Sequence, residues 1–249
     1  MSEVYFLNLI NPAGGFCYHY KAYTNKHSWA SFLDQSKKWQ TQLSNQNSKL
    51  LLIGPSAGYS LSSQLLSKYN QIDVLEIDSL AKWLFKKRFS KHPNIKFSNK
   101  IYFSIKNDSF NLIVEDLKQI KKDFPQHDIF FCNFLGQLPV LNKKISEQDY
   151  RLFFTEELHK ILSDRTWYSY HDIFSVHFKK PHEIELFDVS SVDYFVDKLK
   201  EYGRNHSLLK FEVIDHLTQM NSKNDLLWLW PITPKSLHLI QAIYYTPEQ

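Results

Sequence analysis

The 249-residue sequence contains only two cysteines, Cys17 and Cys132, far apart and in no C-x-x-C pair. Such usage gives no disulfide framework and points to a reducing compartment. Long hydrophobic runs are also missing. The most apolar stretches, "LLLIG" and "LLWLWPI", are much too short to span a bilayer. The opening "MSEVYFLNLINPAGG" has no basic segment leading into a continuous apolar stretch, so it does not read as a signal peptide, and a cytoplasmic protein with no membrane contact is expected. Neither sign of charge dominates: a net +4 permits an acidic partner without requiring one. The 11 histidines show no paired metal-ligand spacing, so no metal site is expected. No internal repeat or long low-complexity tract occurs, and 43% hydrophobic with 22% charged residues is ordinary globular usage. What the chain has in excess is aromatic side chains, 16% of all residues.

Two aromatic, β-prone runs in "VYFLNLINPAGGFCYHYKAY" flank Asn11-Pro12-Ala13-Gly14-Gly15 and read as a β-hairpin. Ser28 then reads as the N-cap of a helix carrying Trp29, Phe32, Leu33 and Trp39 on one face, which ends in the polar "SNQNS". Residues 1–48 therefore form an N-terminal hairpin and helix extension, ahead of a domain spanning 49–249. From there short apolar runs alternate with helical segments. Strands are expected at 50–53, 72–77, 101–105, 128–133, 167–172, 208–214 and 238–245. Helices are expected at 61–68, 80–89, 112–122, 147–162 and 192–202. This alternation predicts an α/β fold with a mostly parallel, seven-stranded sheet covered by helices on both faces. In such sheets the ligand crevice lies beyond the carboxyl ends of the strands.

The turn after the first strand, in "LLLIGPSAGYS", has two readings. As Gly54-Pro55-Ser56-Ala57-Gly58 it fits G-x-S-x-G, the strained turn that presents a serine nucleophile in α/β hydrolases. As a small-residue turn it is instead a backbone approach for a cofactor. The elbow needs further strands before it, and only one helix fits between Gly15 and Ser56. The cofactor reading is supported downstream: the strand "IDVLEI" ends in Asp78, twenty residues after Gly58, where a carboxylate can accept ribose hydroxyls. Glu76 competes for that role, because alternate residues of a strand share a face.

These stretches resemble the class I S-adenosylmethionine-dependent methyltransferases. "LLLIGPSAGYSLSSQLL" is similar to their first motif, "VLEIDSLAKWLFKKR" to the second, and "HDIFFCNFLGQL" to the fourth strand and the loop below the methyl donor. The resemblance implies a Rossmann-like methyltransferase fold and S-adenosyl-L-methionine as cofactor. Gly54, Pro55, Ser56 and Gly58 would stand at the cofactor turn, Asp78 on its ribose, Asp108 near the adenine, and Asn133 near the transferred methyl. Two departures stand out: Leu52 occupies a place that is usually acidic in the family, and Ser56 replaces a glycine. They motivate an alternative, a methyltransferase-like binding module without catalysis; a serine hydrolase using Ser56 is the third reading.

Asn107-Asp108 also reads as a plain turn pair, and Asn133 as a cap. "YSYHD", residues 168–172, is the densest polar-aromatic cluster. At the end of a fifth strand, His171 and Asp172 would reach the crevice, with His171 as a general base. A histidine hydrogen-bonded for structure is the alternative. "NFLGQL" lacks the proline-proline-aromatic continuation found in methyltransferases acting on amino groups of nucleobases or glutamine, so a small-molecule acceptor is favoured over nucleic acid. The acceptor itself and a homodimer are left open.

Overall fold

The computed structural model describes residues 15–103, 109–181, 186–205, 210–221 and 225–247. Its elements in chain order are α1 (Gly15–Thr24), α2 (Ala30–Gln42), β1 (Lys49–Ile53), α3 (Ser63–Leu66), β2 (Gln71–Leu75), α4 (Ser79–Arg88), β3 (Ile95–Phe97), α5 (Phe110–Asp123) and β4 (His127–Cys132). There follow α6 (Leu138–Leu141), α7 (Glu147–Leu152), α8 (Leu158–Ile161), β5 (Trp167–Phe178), α9 (Val192–Asn205), β6 (Phe211–Asp215), β7 (Leu226–Thr233) and β8 (Ser236–Tyr245). All lie in or against one eight-stranded sheet of order β3-β2-β1-β4-β5-β8-β7, with β6 paired to β5.

The central strands show why the sheet is parallel. All six residues of β4 and four of the five in β1 are buried, the signature of strands covered on both faces. Alternation along β1 sends Leu50 and Leu52 to one core, with Trp39, Tyr168 and Trp228, and Leu51 and Ile53 to the other, with Leu117, Phe131 and Phe153. Register fixes where the strands end. Ile53 stands beside Leu75 and Phe131, and Cys132 beside Tyr170, so β1, β2 and β4 finish nearly level. The crevice opens beyond that edge.

Several sequence expectations are corrected. The second arm of the hairpin is helix α1: its buried residues Gly15, His19 and Ala22 recur at helical spacing, while Phe16, Tyr20 and Tyr23 face outward. The first arm lies outside the described residues. Ser28 is not the cap of α2. That place is taken by Trp29, whose indole donates to the carbonyl of Ile232 at 3.0 Å. The third strand is Ile95–Phe97; of the expected 101–105, residues 101–103 form an irregular segment, with the Tyr102 hydroxyl on Asp123, and 104–105 lie outside the described residues. β7 was not among the expected strands; it covers the apolar run "LLWLWPI" and includes Pro231. It is the edge strand, where a missing N–H is tolerated, and the register shifts between Pro231 and Thr233.

β5 is twice the length expected. Its first half pairs with β4, and its second half pairs antiparallel with β6 on that flank, while β8 runs antiparallel along nearly all of it. His171 and Asp172 are therefore in the middle of a strand rather than at its end. The N-terminal helices belong to the same packing: Phe32 of α2 stacks on Trp230 of β7 at 4.4 Å between ring centroids. Among the described residues no helix is long and apolar enough to cross a membrane.

Candidate functional site

A cavity of about 220 Å³ lies where the sheet geometry places it, beyond the carboxyl ends of β1, β2 and β4. Its floor is the turn after β1, including Gly54, Pro55 and Ser56. Three residues of this turn, Gly54, Ser56 and Gly58, have φ of 65°, 50° and 67°. At Gly58 the requirement is also spatial, since a Cβ would fall 2.5 Å from the Phe89 ring. At Gly54 a Cβ would stand 3.2 Å from Phe134 and narrow the cavity. So Gly58 serves the packing of the turn on α4, and Gly54 the cavity itself.

The N–H groups of the turn are largely spent within the protein. Gly54 donates to Leu75, Gly58 to Pro55, and Ser56 to the carboxylate of Glu76 at 2.8 Å. The next helix, α3, has four residues and starts nine positions after Gly54. The turn therefore lacks the free N–H nest and aligned helix N-terminus that hold a pyrophosphate.

Both carboxylates after β2 line the cavity, in different states of use. Asp78 is saturated. One oxygen caps α4 through the N–H groups of Leu80 and Ala81, and the other accepts the N–H of Gly15 at 3.1 Å and lies 3.6 Å from His19 Nε2. Burial pushes its pKa up, but His19 and the Ala81 and Leu80 N–H groups outweigh this and hold it below the usual range. Glu76 accepts only main-chain N–H groups, those of Ser56 and Asp78 and, with a smaller effect, Ile77. Burial raises its pKa despite these bonds. Over the cavity lies α1, contributing Gly15 and Tyr18.

On the β4 side Asn133 adopts φ 53° and donates its N–H to Tyr170 O. Its side chain is turned into Asp172, which also receives Gln137 Nε2 at 3.0 Å and His238 Nδ1 at 3.0 Å. Asp172 is fully buried; burial raises its pKa, and His238 more than offsets this, so the carboxyl lies below its ordinary range. His171 is enclosed as well, with Nε2 facing the Thr218 carbonyl and Nδ1 facing Ser169 Oγ. Burial lowers its pKa to about 4. It is absent from the cavity wall, so the expected base is a neutral, structurally bonded imidazole. Asp172 meets the cavity only through Asn133 and Gln137.

The structure thus brings Gly54, Pro55, Ser56, Asp78 and Asn133 to one cavity, and leaves Gly58 beneath it. Asp108 lies outside the described residues. No histidine contacts Ser56 among the described residues, so the elbow lacks its base. Sequence reasoning passed over Tyr18, Tyr59, Ser60 and Gln137 in the wall, and included Tyr170 only as part of the "YSYHD" cluster. For Gln137 a signal existed, a polar residue one turn beyond Asn133 in "NFLGQL".

No family model and no curated protein matches the chain. Among solved structures it is similar to the DhpI–SAH complex, with 10% identity over 93% of this chain and 94% of that one and a TM-score of 0.39. It is also similar to a SAM-dependent methyltransferase from Anabaena variabilis, at 14% identity, 90% and 91% coverage and a TM-score of 0.40. A third similarity is to spermidine synthase from Thermotoga maritima, at 12% identity and a TM-score of 0.39, covering 87% of this chain and 59% of that one. The strand order described above, a parallel β3-β2-β1-β4-β5 followed by the antiparallel β8 and the returning β7, makes this an α/β, Rossmann-like sheet.

Proposed function

We propose that the chain binds S-adenosylmethionine and transfers its methyl group to an acceptor. The observation that carries this reading is the turn after β1. It is open and small at Gly54, yet its N–H groups at 54, 56 and 58 are already engaged. A nucleoside without phosphates suits that surface, and a dinucleotide does not. Glu76, rather than the saturated Asp78, is assigned to the ribose hydroxyls, since its carboxylate is engaged by main-chain N–H groups alone and by no side chain. Tyr18, Tyr59 and Ser60 line the wall together with Gly54; the Tyr59 hydroxyl is bonded to His19 and that of Ser60 to Tyr170, and the Tyr18 hydroxyl takes the part of the acidic side chain that Leu52 does not supply.

When bound, the cofactor supplies an electrophilic methyl on a sulfonium centre. The chain's own contribution is to hold and orient, with α1 closing over the cavity and excluding water. The acceptor enters from the β4–β5 side, where Asn133 and Gln137 stand. Calorimetric titration with S-adenosylmethionine and S-adenosylhomocysteine tests the reading: saturable binding of both is expected. No heat and no thermal shift at millimolar ligand overturns it.

A further inference from the structure

Two side-chain amides, Asn133 and Gln137, line the β4 side of the cavity. Their orientations are dictated by a single carboxylate. An ionised carboxyl group only accepts hydrogen bonds, so the amide nitrogens must face Asp172; Asn133 Nδ2 lies 3.2 Å and Gln137 Nε2 3.0 Å from Asp172 Oδ2. The ion is itself held from behind by His238 Nδ1, 3.0 Å from Oδ1. His238 is in turn aligned by Ser175, whose hydroxyl also bonds His216 Nε2 at 2.6 Å, while His216 Nδ1 donates to the Gly136 carbonyl at 2.8 Å. Ser175 Oγ thus bridges His216 Nε2 and His238 Nδ1. His238 turns its own N–H toward Asp172.

The two amides differ at their other ends. Asn133 Oδ1 accepts the Asp172 N–H at 3.0 Å, so both ends of its amide are bonded to Asp172. Gln137 Oε1 has no partner among the described residues, and it is the end left to the cavity. With the sheet order β2-β1-β4, Glu76 and Gln137 stand on opposite sides of the β1 turn, roughly two strand spacings or about 10 Å apart. A ligand with its ribose on Glu76 reaches Gln137 with its opposite end.

We propose that Gln137 Oε1 is the specificity-determining group of this site, accepting a hydrogen bond from the atom to be methylated, so that the acceptor presents an N–H or O–H and not a carboxylate. This rests on the cofactor reading above. A carboxylate acceptor would meet the negative end of the amide, with the Asp172 charge directly behind it. Lys100, the one cation in the described wall, is paired with Asp123 at 2.8 Å. Asp172 and His238 are positioning residues, acting through the amide they orient.

The test compares two probes that share the nucleoside: S-adenosylhomocysteine, and sinefungin, which carries an amine where the methyl would stand. Gln137→Leu is expected to weaken sinefungin at least tenfold while S-adenosylhomocysteine stays within twofold, the latter also reporting that the variant is folded. Should that variant bind neither, Gln137→Met makes the same comparison with a flexible side chain. Equal weakening of both ligands in the folded variant, or of neither, overturns the proposal. Failure of the unaltered protein to bind S-adenosylhomocysteine instead removes the cofactor reading, and this inference with it.

Discussion

The carboxylate of Glu76 accepts the main-chain N–H of Ser56 at 2.8 Å, joining the end of β2 to the turn after β1. The bond fixes the turn in its left-handed conformation and places a carboxylate at the cavity floor. Glu76→Ala is therefore expected to weaken S-adenosylhomocysteine by about 1–3 kcal/mol, the usual cost of leaving buried polar groups unpaired. Calorimetry on Glu76→Ala and Asp78→Ala separates the two carboxylates, and a larger loss at Asp78 would reverse the assignment.

Ser56 is tied into the site through its main-chain N–H, and no role is expected of its hydroxyl. Ser56→Ala should leave ligand affinity unchanged, and a fluorophosphonate probe should not label the protein. Specific labelling that disappears in Ser56→Ala would restore the elbow reading.

Gly58 tolerates no side chain. Alanine there combines a left-handed φ of 67° with a Cβ 2.5 Å from Phe89, so a loss of roughly 2–4 kcal/mol is expected. Urea unfolding measures it, and a loss below about 1 kcal/mol would show that the α4 aromatics give way easily.

The parts of the fold legible in the sequence are those set by local pattern. Continuous burial made β1 and β4 visible as apolar runs, and Asp78 could be placed at the cavity because it lies three residues beyond β2. The parts that were not legible depend on tertiary partners. α1 carries aromatics at alternate and at helical spacing alike, and docking on Asp78 and Tyr59 decides between them. β5 looked short because nothing local signals that β6 takes over the flank left when β4 ends. Gln137 gained its meaning only from Asp172, thirty-five residues away.

His171 should give the stability curve a distinct acid limb. Its pKa falls from 6.5 to about 4 in the folded state, so the unfolded chain takes up a proton first as pH drops. The stability of the neutral, buried ring is fully present above about pH 6.5 and is lost progressively down to about pH 4, by about 3 kcal/mol at 1.36 kcal/mol per unit. Asp172 acts in a separate window: its depressed pKa contributes stability above the ordinary carboxylate range, which is lost below it. Burial also lowers the pKa of His127, His159 and His177, so the readout is a difference. Thermal melts of the unaltered protein and His171→Gln between pH 4 and 7 should converge as pH falls, and parallel curves would refute the assignment.

Asp78 fastens α1 over the cavity, which predicts a local effect distinct from ligand affinity. Its Oδ2 accepts the Gly15 N–H at 3.1 Å and stands 3.6 Å from His19, whose Nδ1 bonds the Tyr59 hydroxyl at 3.0 Å. α2, by contrast, is held by Phe32 and Trp39 in the aromatic core and does not depend on this clasp. His19→Ala removes one strand of the clasp and leaves the α4 cap intact, whereas Asp78→Ala removes both. A net hydrogen bond of about 1 kcal/mol corresponds to roughly fivefold in a local opening equilibrium. Amide exchange in α1 should therefore quicken about fivefold in His19→Ala and more in Asp78→Ala, with α2 amides unchanged in both. Uniform acceleration across α1 and α2 would mean that the two helices open as one unit, and that Asp78 acts on the fold rather than on the cover of the cavity.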